Sequence, residues 1–200
     1  MRKQFVVAAL LLLAAVAAHA QAVSIYATSS SGRYTNVQTG SVLTGSGYQE
    51  QYANFWASGI GGGVTFNFLP VGPVKLGFDF RGSTRPGTTG ADTALAGFKV
   101  GFNPPLIHLK PYIQASGGYL ATRTVNVSTN PSNPSQTVGG TFSNKYAAWE
   151  VLGGVDVPLA SILDLRLIEI GGGTGIIVPG TANAPNISLF TVNTGVVVHF

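Results

Sequence analysis

VKLGFDFRG, residues 74–82, alternates without a fault: Val74, Leu76, Phe78 and Phe80 fall on one side of an extended chain, Lys75, Gly77, Asp79 and Arg81 on the other. Successive side chains of a strand point to opposite faces, so this period of two predicts a β-strand with a bulky apolar face and a small or charged one. The same division recurs along the chain. In residues 55–69, Trp56, Ile60, Val64, Phe66 and Phe68 stand against Gly59, Gly61, Gly63, Thr65 and Asn67. Further on, Phe98, Val100 and Phe102 oppose Lys99 and Gly101, while Trp149, Val151, Val155 and Val157 oppose Glu150, Gly154 and Asp156. TVNTGVVVHF, residues 191–200, places Val192, Val196, Val198 and Phe200 on one face.

Composition narrows the class. Charged residues make up 9% of the 200-residue chain, against roughly 25% in ordinary soluble domains. Yet residues 21–200 contain no apolar run long enough for a membrane helix. The 27 glycines and 11 prolines are scattered throughout and argue against helices. Residues 1–20 read as a cleaved secretory signal: Arg2 and Lys3, a thirteen-residue apolar run from Phe5 to Ala17, then Ala18-His19-Ala20. That run falls short of the ~20 residues an anchor helix needs. Residues 21–200 then form one domain, with nine basic and seven acidic residues. So slight an excess, without a Lys/Arg cluster, gives no ground for a nucleic-acid partner. An exported chain without cysteine does without disulfides.

Turn signals divide the domain into eight candidate strands, approximately 22–29, 55–69, 74–82, 93–102, 110–123, 145–157, 163–171 and 187–200. Their connections run long, short, long, short, long, short, long, with PVGP, NPPLIHL and PLASI as the short ones. That is an up-and-down hairpin series with every long loop at one end, the arrangement of transmembrane barrels. Alternation alone leaves the orientation open, because a soluble lipocalin-like ligand carrier has the same period with its apolar residues inward. Two considerations favour bulk outward. The charged face, mostly Gly, Ser, Thr and Ala, would make a poor solvent surface, and an eight-stranded lumen has no room for the aromatic rings. The expected fold is therefore an all-β, eight-stranded antiparallel up-and-down transmembrane β-barrel. In residues 163–171, Leu163, Leu165 and Leu167 point outward, and a bulge near Leu167 and Ile168 is needed to turn Glu169 inward.

These features resemble the small outer-membrane β-barrels of the OmpA-like and OmpX-like group, over essentially all of residues 21–200. The resemblance implies localisation in the outer membrane of a Gram-negative bacterium. It also implies that the final strand, with Phe200, Val198 and Val196 on its lipid side, is a signal to the barrel-assembly machinery. No periplasmic domain is expected, in contrast to two-domain members of the group, and therefore no tether to the cell wall.

Nine charged residues are assigned to the lumen: Lys75, Asp79, Arg81, Lys99, Glu150, Asp156, Asp164, Arg166 and Glu169. Counting from the short turns pairs Asp79 with Lys99 and Asp156 with Arg166, with Arg81, Glu150 and Glu169 in a higher layer. Such charges should be paired, and a plug of salt bridges is favoured over a narrow channel for small or apolar solutes. Tyr52, Phe55, Trp56 and Trp149 are assigned to an aromatic girdle. No catalytic, cofactor or metal site is expected. The histidines of residues 21–200 are His108, in a predicted turn, and His199, next to the end, so no base stands near the outer rim for a lipid-modifying enzyme. The glycine runs 59–63 and 171–175 open no helix and fail as nucleotide cradles. The partners expected are outer-membrane lipids, the assembly machinery and an unidentified surface ligand held by polar loops that carry Tyr34, Tyr48 and Tyr52.

Overall fold

The computed structural model describes residues 23–44, 47–130, 133–177 and 186–200. The proposed signal segment, residues 1–20, lies outside them, as does 178–185 of the last long connection. The eight strands are β1 (Val23–Thr44), β2 (Gly47–Val71), β3 (Val74–Arg85), β4 (Gly90–Phe102), β5 (Lys110–Asn130), β6 (Asn133–Ala160), β7 (Leu163–Ile177) and β8 (Ile187–His199). Each pairs antiparallel with the next, and β8 pairs with β1 from Thr35↔Ser188 to Ser24↔His199, closing the ring. The backbone N–H of Phe200 adds a last bond to the Val23 carbonyl at 3.0 Å. The terminal strand thus has no free edge, which answers the hazard of an unpaired apolar strand.

Each strand alternates as its sequence requires. Along β3, Asp79 is 1% exposed and its neighbours Phe78 and Phe80 are 41% and 52% exposed. The bulky residues form an outer band in which Phe78 packs on Phe98 at 4.4 Å between ring centroids, Phe68 on Phe78 at 5.4 Å, and Trp56 edge-on to Phe190 at 6.3 Å. This orientation contradicts the soluble carrier considered from sequence, whose apolar side chains would line a cavity. Strand β7 slips register between Arg166 and Glu169, with Leu167 and Ile168 both exposed. The bulge lets Arg166 and Glu169, three positions apart, both face inward.

Several strands continue well into segments read from sequence as loops. β1 and β2 extend to Thr44 and Gly47, β5 and β6 to Asn130 and Asn133, and the connection between β3 and β4 shrinks to residues 86–89, where Gly87 has φ 132°. A tilted strand crosses the apolar layer in ~9–11 residues, so the 25 residues of β2 and 28 of β6 rise far above it. There both faces can be polar, and the alternation that marks a strand fades from the sequence. β1 carries a bulge between Tyr34 and Val37, where Asn36 takes φ 60° and its N–H donates to Asn54 Oδ1 at 3.0 Å.

Candidate functional site

The lumen holds three layers of side chains. The middle one is ionic. Arg81 donates through Nη1 and Nη2 to Glu169 Oε1 and Oε2 at 2.9 and 3.1 Å, and through Nε to Asp79 Oδ2 at 3.1 Å. Arg166, with no exposed surface, donates through Nε to Asp156 Oδ1 at 3.0 Å and through Nη1 to Glu169 Oε2 at 3.3 Å. Asp79 also accepts from Tyr26 at 2.8 Å, Thr65 at 2.7 Å and Gln114 at 2.7 Å, so both of its oxygens are hydrogen-bonded. Buried charges survive when paired and fully hydrogen-bonded in this way.

Two tyrosines sandwich the central guanidinium: Arg166 Cζ lies 4.3 Å from the Tyr26 ring centroid and 5.0 Å from that of Tyr112. Their room is made by glycines directly across the ladder, Gly63 opposite Tyr26 and Gly154 opposite Tyr112. A Cβ on Gly63 would meet the Tyr26 hydroxyl at 2.5 Å, and one on Gly154 the Tyr112 hydroxyl at 2.5 Å. Part of the glycine richness is therefore the negative image of two inward aromatic rings.

Of the nine predicted lumen charges, the structure places Asp79, Arg81, Asp156, Arg166, Glu169 and Lys99 in this one cluster. The level-by-level pairing of Asp79 with Lys99 is corrected. Asp79 lies opposite Gly97, and Lys99 reaches instead to Asp156 Oδ2 at 3.8 Å, its Nζ 3.8 Å from the Tyr112 centroid. Glu150 accepts from Thr191 Oγ1. It lines a cavity of about 30 Å³ together with Arg85, large enough for ordered water.

Sequence reading missed several inward residues. Tyr26, Tyr112 and Gln114 keep the phase of the charged face but are bulky. Arg85, assigned to a loop, is buried and donates to the Tyr34 hydroxyl at 2.7 Å and Ser83 Oγ at 2.8 Å. Tyr34, also assigned to a loop, is fully buried in an apolar stopper with Val37, Leu95, Leu120, Tyr146, Ile187 and Leu189 toward the long-hairpin end. Phe55 is a correction to the girdle: it pairs with Tyr34 and stacks on it at 5.3 Å, on the lumen side. Adjacent strand residues face opposite ways, so Phe55 and Trp56 cannot both look outward. Trp56, Trp149 and Tyr52 are exposed, and the Tyr52 hydroxyl donates to Glu50.

The lower layer, at the short-turn mouth, holds Lys75, Lys110, Asp164, His199 and Ser24. Lys110 Nζ donates to both oxygens of Asp164 at 2.9 and 2.7 Å. His199 bridges Asp164 Oδ2 at 2.7 Å through Nε2 and Ser24 Oγ at 2.8 Å through Nδ1. A Ser-His-Asp sequence of contacts is thus present, although the spacing of these residues along the chain gave no hint of it. Its carboxylate already carries an ammonium partner, and the imidazole spans β1, β7 and β8 as a tie across the seam. Among the described residues no group of three or more His, Cys, Asp or Glu is placed to hold a metal ion.

No protein-family model matches the chain, and no curated protein matches it in sequence. Among solved structures it is similar to Neisserial surface protein A, at 14% identity over 91% of this chain and 99% of that one, TM-score 0.49. The N-terminal β-barrel domain of Pseudomonas aeruginosa OprF is similar at 14% identity over 91% and 100%, TM-score 0.44. The outer membrane protease OmpT from Escherichia coli is similar at 8% identity over 89% and 96%, TM-score 0.45. The chain is a closed eight-stranded up-and-down β-barrel, and the structures it is similar to are barrels of the outer membrane.

Proposed function

We propose that the chain is an integral outer-membrane barrel of a Gram-negative bacterium, with an occluded lumen and a surface-interaction role carried by its two tall hairpins. The observation that carries this reading is the division of the barrel wall: apolar rings outside, and inside an ionic cluster capped by the apolar stopper around Tyr34 and Leu120. Side chains of the ionic cluster and of the stopper pack across the lumen, which argues against a solute channel. The hairpin segments 35–54 and 124–144 contain a single charged residue, Glu50, and are mostly Ser, Thr, Asn, Gln, Gly and Tyr, with Val, Leu, Ala, Pro and Phe between them. A surface of that composition binds through adaptable hydrogen bonds and tyrosine rings, so the partner is an uncharged polar surface and not one drawn in by long-range electrostatics. Catalysis forms no part of this role. Assembly uses the outward Val196, Val198 and Phe200 of the closing strand as the contact with the barrel-assembly machinery.

The test is membrane fractionation with gel mobility before and after boiling, followed by reconstitution in planar bilayers. The expected results are outer-membrane recovery, a heat-dependent mobility shift and an absence of conductance steps. Recovery as a detergent-free periplasmic protein would overturn the reading, and steady ion conductance would overturn the occluded lumen.

A further inference from the structure

At the short-turn mouth the lumen opens into a cavity of about 80 Å³ that Lys75, Lys110, Asn67, Asn103, Ser24 and His199 help to line. Its charges do not balance. Deeper in, the carboxylates of Asp79, Asp156 and Glu169 are matched by Arg81, Arg166 and Lys99. Asp156 also lines the cavity but is already paired with Arg166 and Lys99, and the carboxylate of Asp164 is taken by Lys110 at 2.7 Å and by His199 at 2.7 Å. Lys75, half-buried on β3, is left over: among the described residues it forms neither a hydrogen bond nor an ion pair. An ammonium held in a partly dry cavity needs a counter-charge. Ser24 on β1, Asn67 on β2 and Asn103 after β4 supply hydroxyl and amide donors to the same space.

We propose that this mouth is a binding site for a small tetrahedral oxyanion of the phosphate class, held by Lys75 with Asn67, Asn103 and Ser24 as hydrogen-bond donors. The inference stands on the cavity and its charge imbalance, and is independent of the role assigned to the hairpins. The same chemistry could arrive as free phosphate or as the phosphate of a lipid headgroup reaching round the rim.

The experiment uses the purified full barrel in two arms. In the first it is titrated with inorganic phosphate in a neutral detergent against chloride at matched ionic strength. In the second, phosphatidylglycerol is doped into phosphate-free neutral bicelles. Both follow the His199 ring resonances and the urea midpoint, because a ligand bound only by the folded state raises that midpoint. The expected result is a saturable His199 shift and a raised midpoint in at least one arm, which identifies the source. Lys75→Gln should weaken binding by roughly ten- to a hundred-fold, the worth of one charge-assisted hydrogen bond. Its midpoint in chloride should stay that of the parent, since Lys75 has no partner to lose. No saturable response in either arm, or a response of equal affinity in Lys75→Gln, would overturn the proposal.

Discussion

Replacing Glu169 with glutamine keeps the shape of the side chain and removes one charge from the most crowded point of the lumen. The carboxylate accepts from Arg81 at 2.9 and 3.1 Å, from Arg166 at 3.3 Å, from the Tyr112 hydroxyl at 2.6 Å and from Asn193 at 2.7 Å. An amide has one acceptor oxygen in place of two and turns donors toward the guanidinium of Arg81. Breaking a buried pair from one side costs about 3–5 kcal/mol, because the partner stays behind uncompensated. With a urea dependence of about 2 kcal/mol per molar, the unfolding midpoint should fall by roughly 1.5–2.5 M. The assay is urea titration in lipid vesicles, read by the emission of Trp56 and Trp149 and by gel mobility. A midpoint within ~0.3 M of the parent for Glu169→Gln would refute the claim that this cluster holds the barrel wall together.

Gly154→Ala brings a methyl to within 2.5 Å of the Tyr112 ring, and should destabilise by about 1–3 kcal/mol in the same titration, with Tyr112→Leu relieving the clash. Phe78→Arg sets a cation in the outer apolar band and should cost about 2–4 kcal/mol if that level is the bilayer midplane; a loss below ~1 kcal/mol in vesicles would count against lipid contact there. A fluorophosphonate probe should leave Ser24 unlabelled in the folded barrel, because Asp164 is already bound to Lys110; labelling that disappears in His199→Gln would instead mark a working nucleophile.

The architecture was legible in this chain wherever lipid and lumen impose opposite demands on neighbouring residues. Residues 74–81 show that contrast throughout and 191–200 show it apart from an outward Thr194 and an inward Val197, and even the bulge at Leu167–Ile168 followed from asking where Glu169 could go. Legibility ended where the demand ended. Above the apolar band Ser, Thr, Asn and Gln suit either face, so the continuations of β1, β2, β5 and β6 looked like loops. Contacts across the lumen were hidden for a different reason. Closing a sheet staggers its strands, and counting residues up from the turns puts Lys99 level with Asp79 when its charge is used by Asp156, two strands away on β6. Tyr112 shares the phase of Lys110 and Tyr26 that of Ser24 and Thr28, and only the register of the closed sheet sets each against an inward glycine.

The seam between β1 and β8 fixes the order of events in folding. Ser24 and His199, joined by a hydrogen bond, are 175 positions apart, whereas every other neighbouring pair of strands is a hairpin formed from consecutive chain. Contacts so distant in sequence form last and slowly, since the entropy of closing the loop is spent before any bond repays it. Until the ends meet, two edges and one apolar wall stand open to any other chain. That interval ends only when the ladder between β1 and β8 closes.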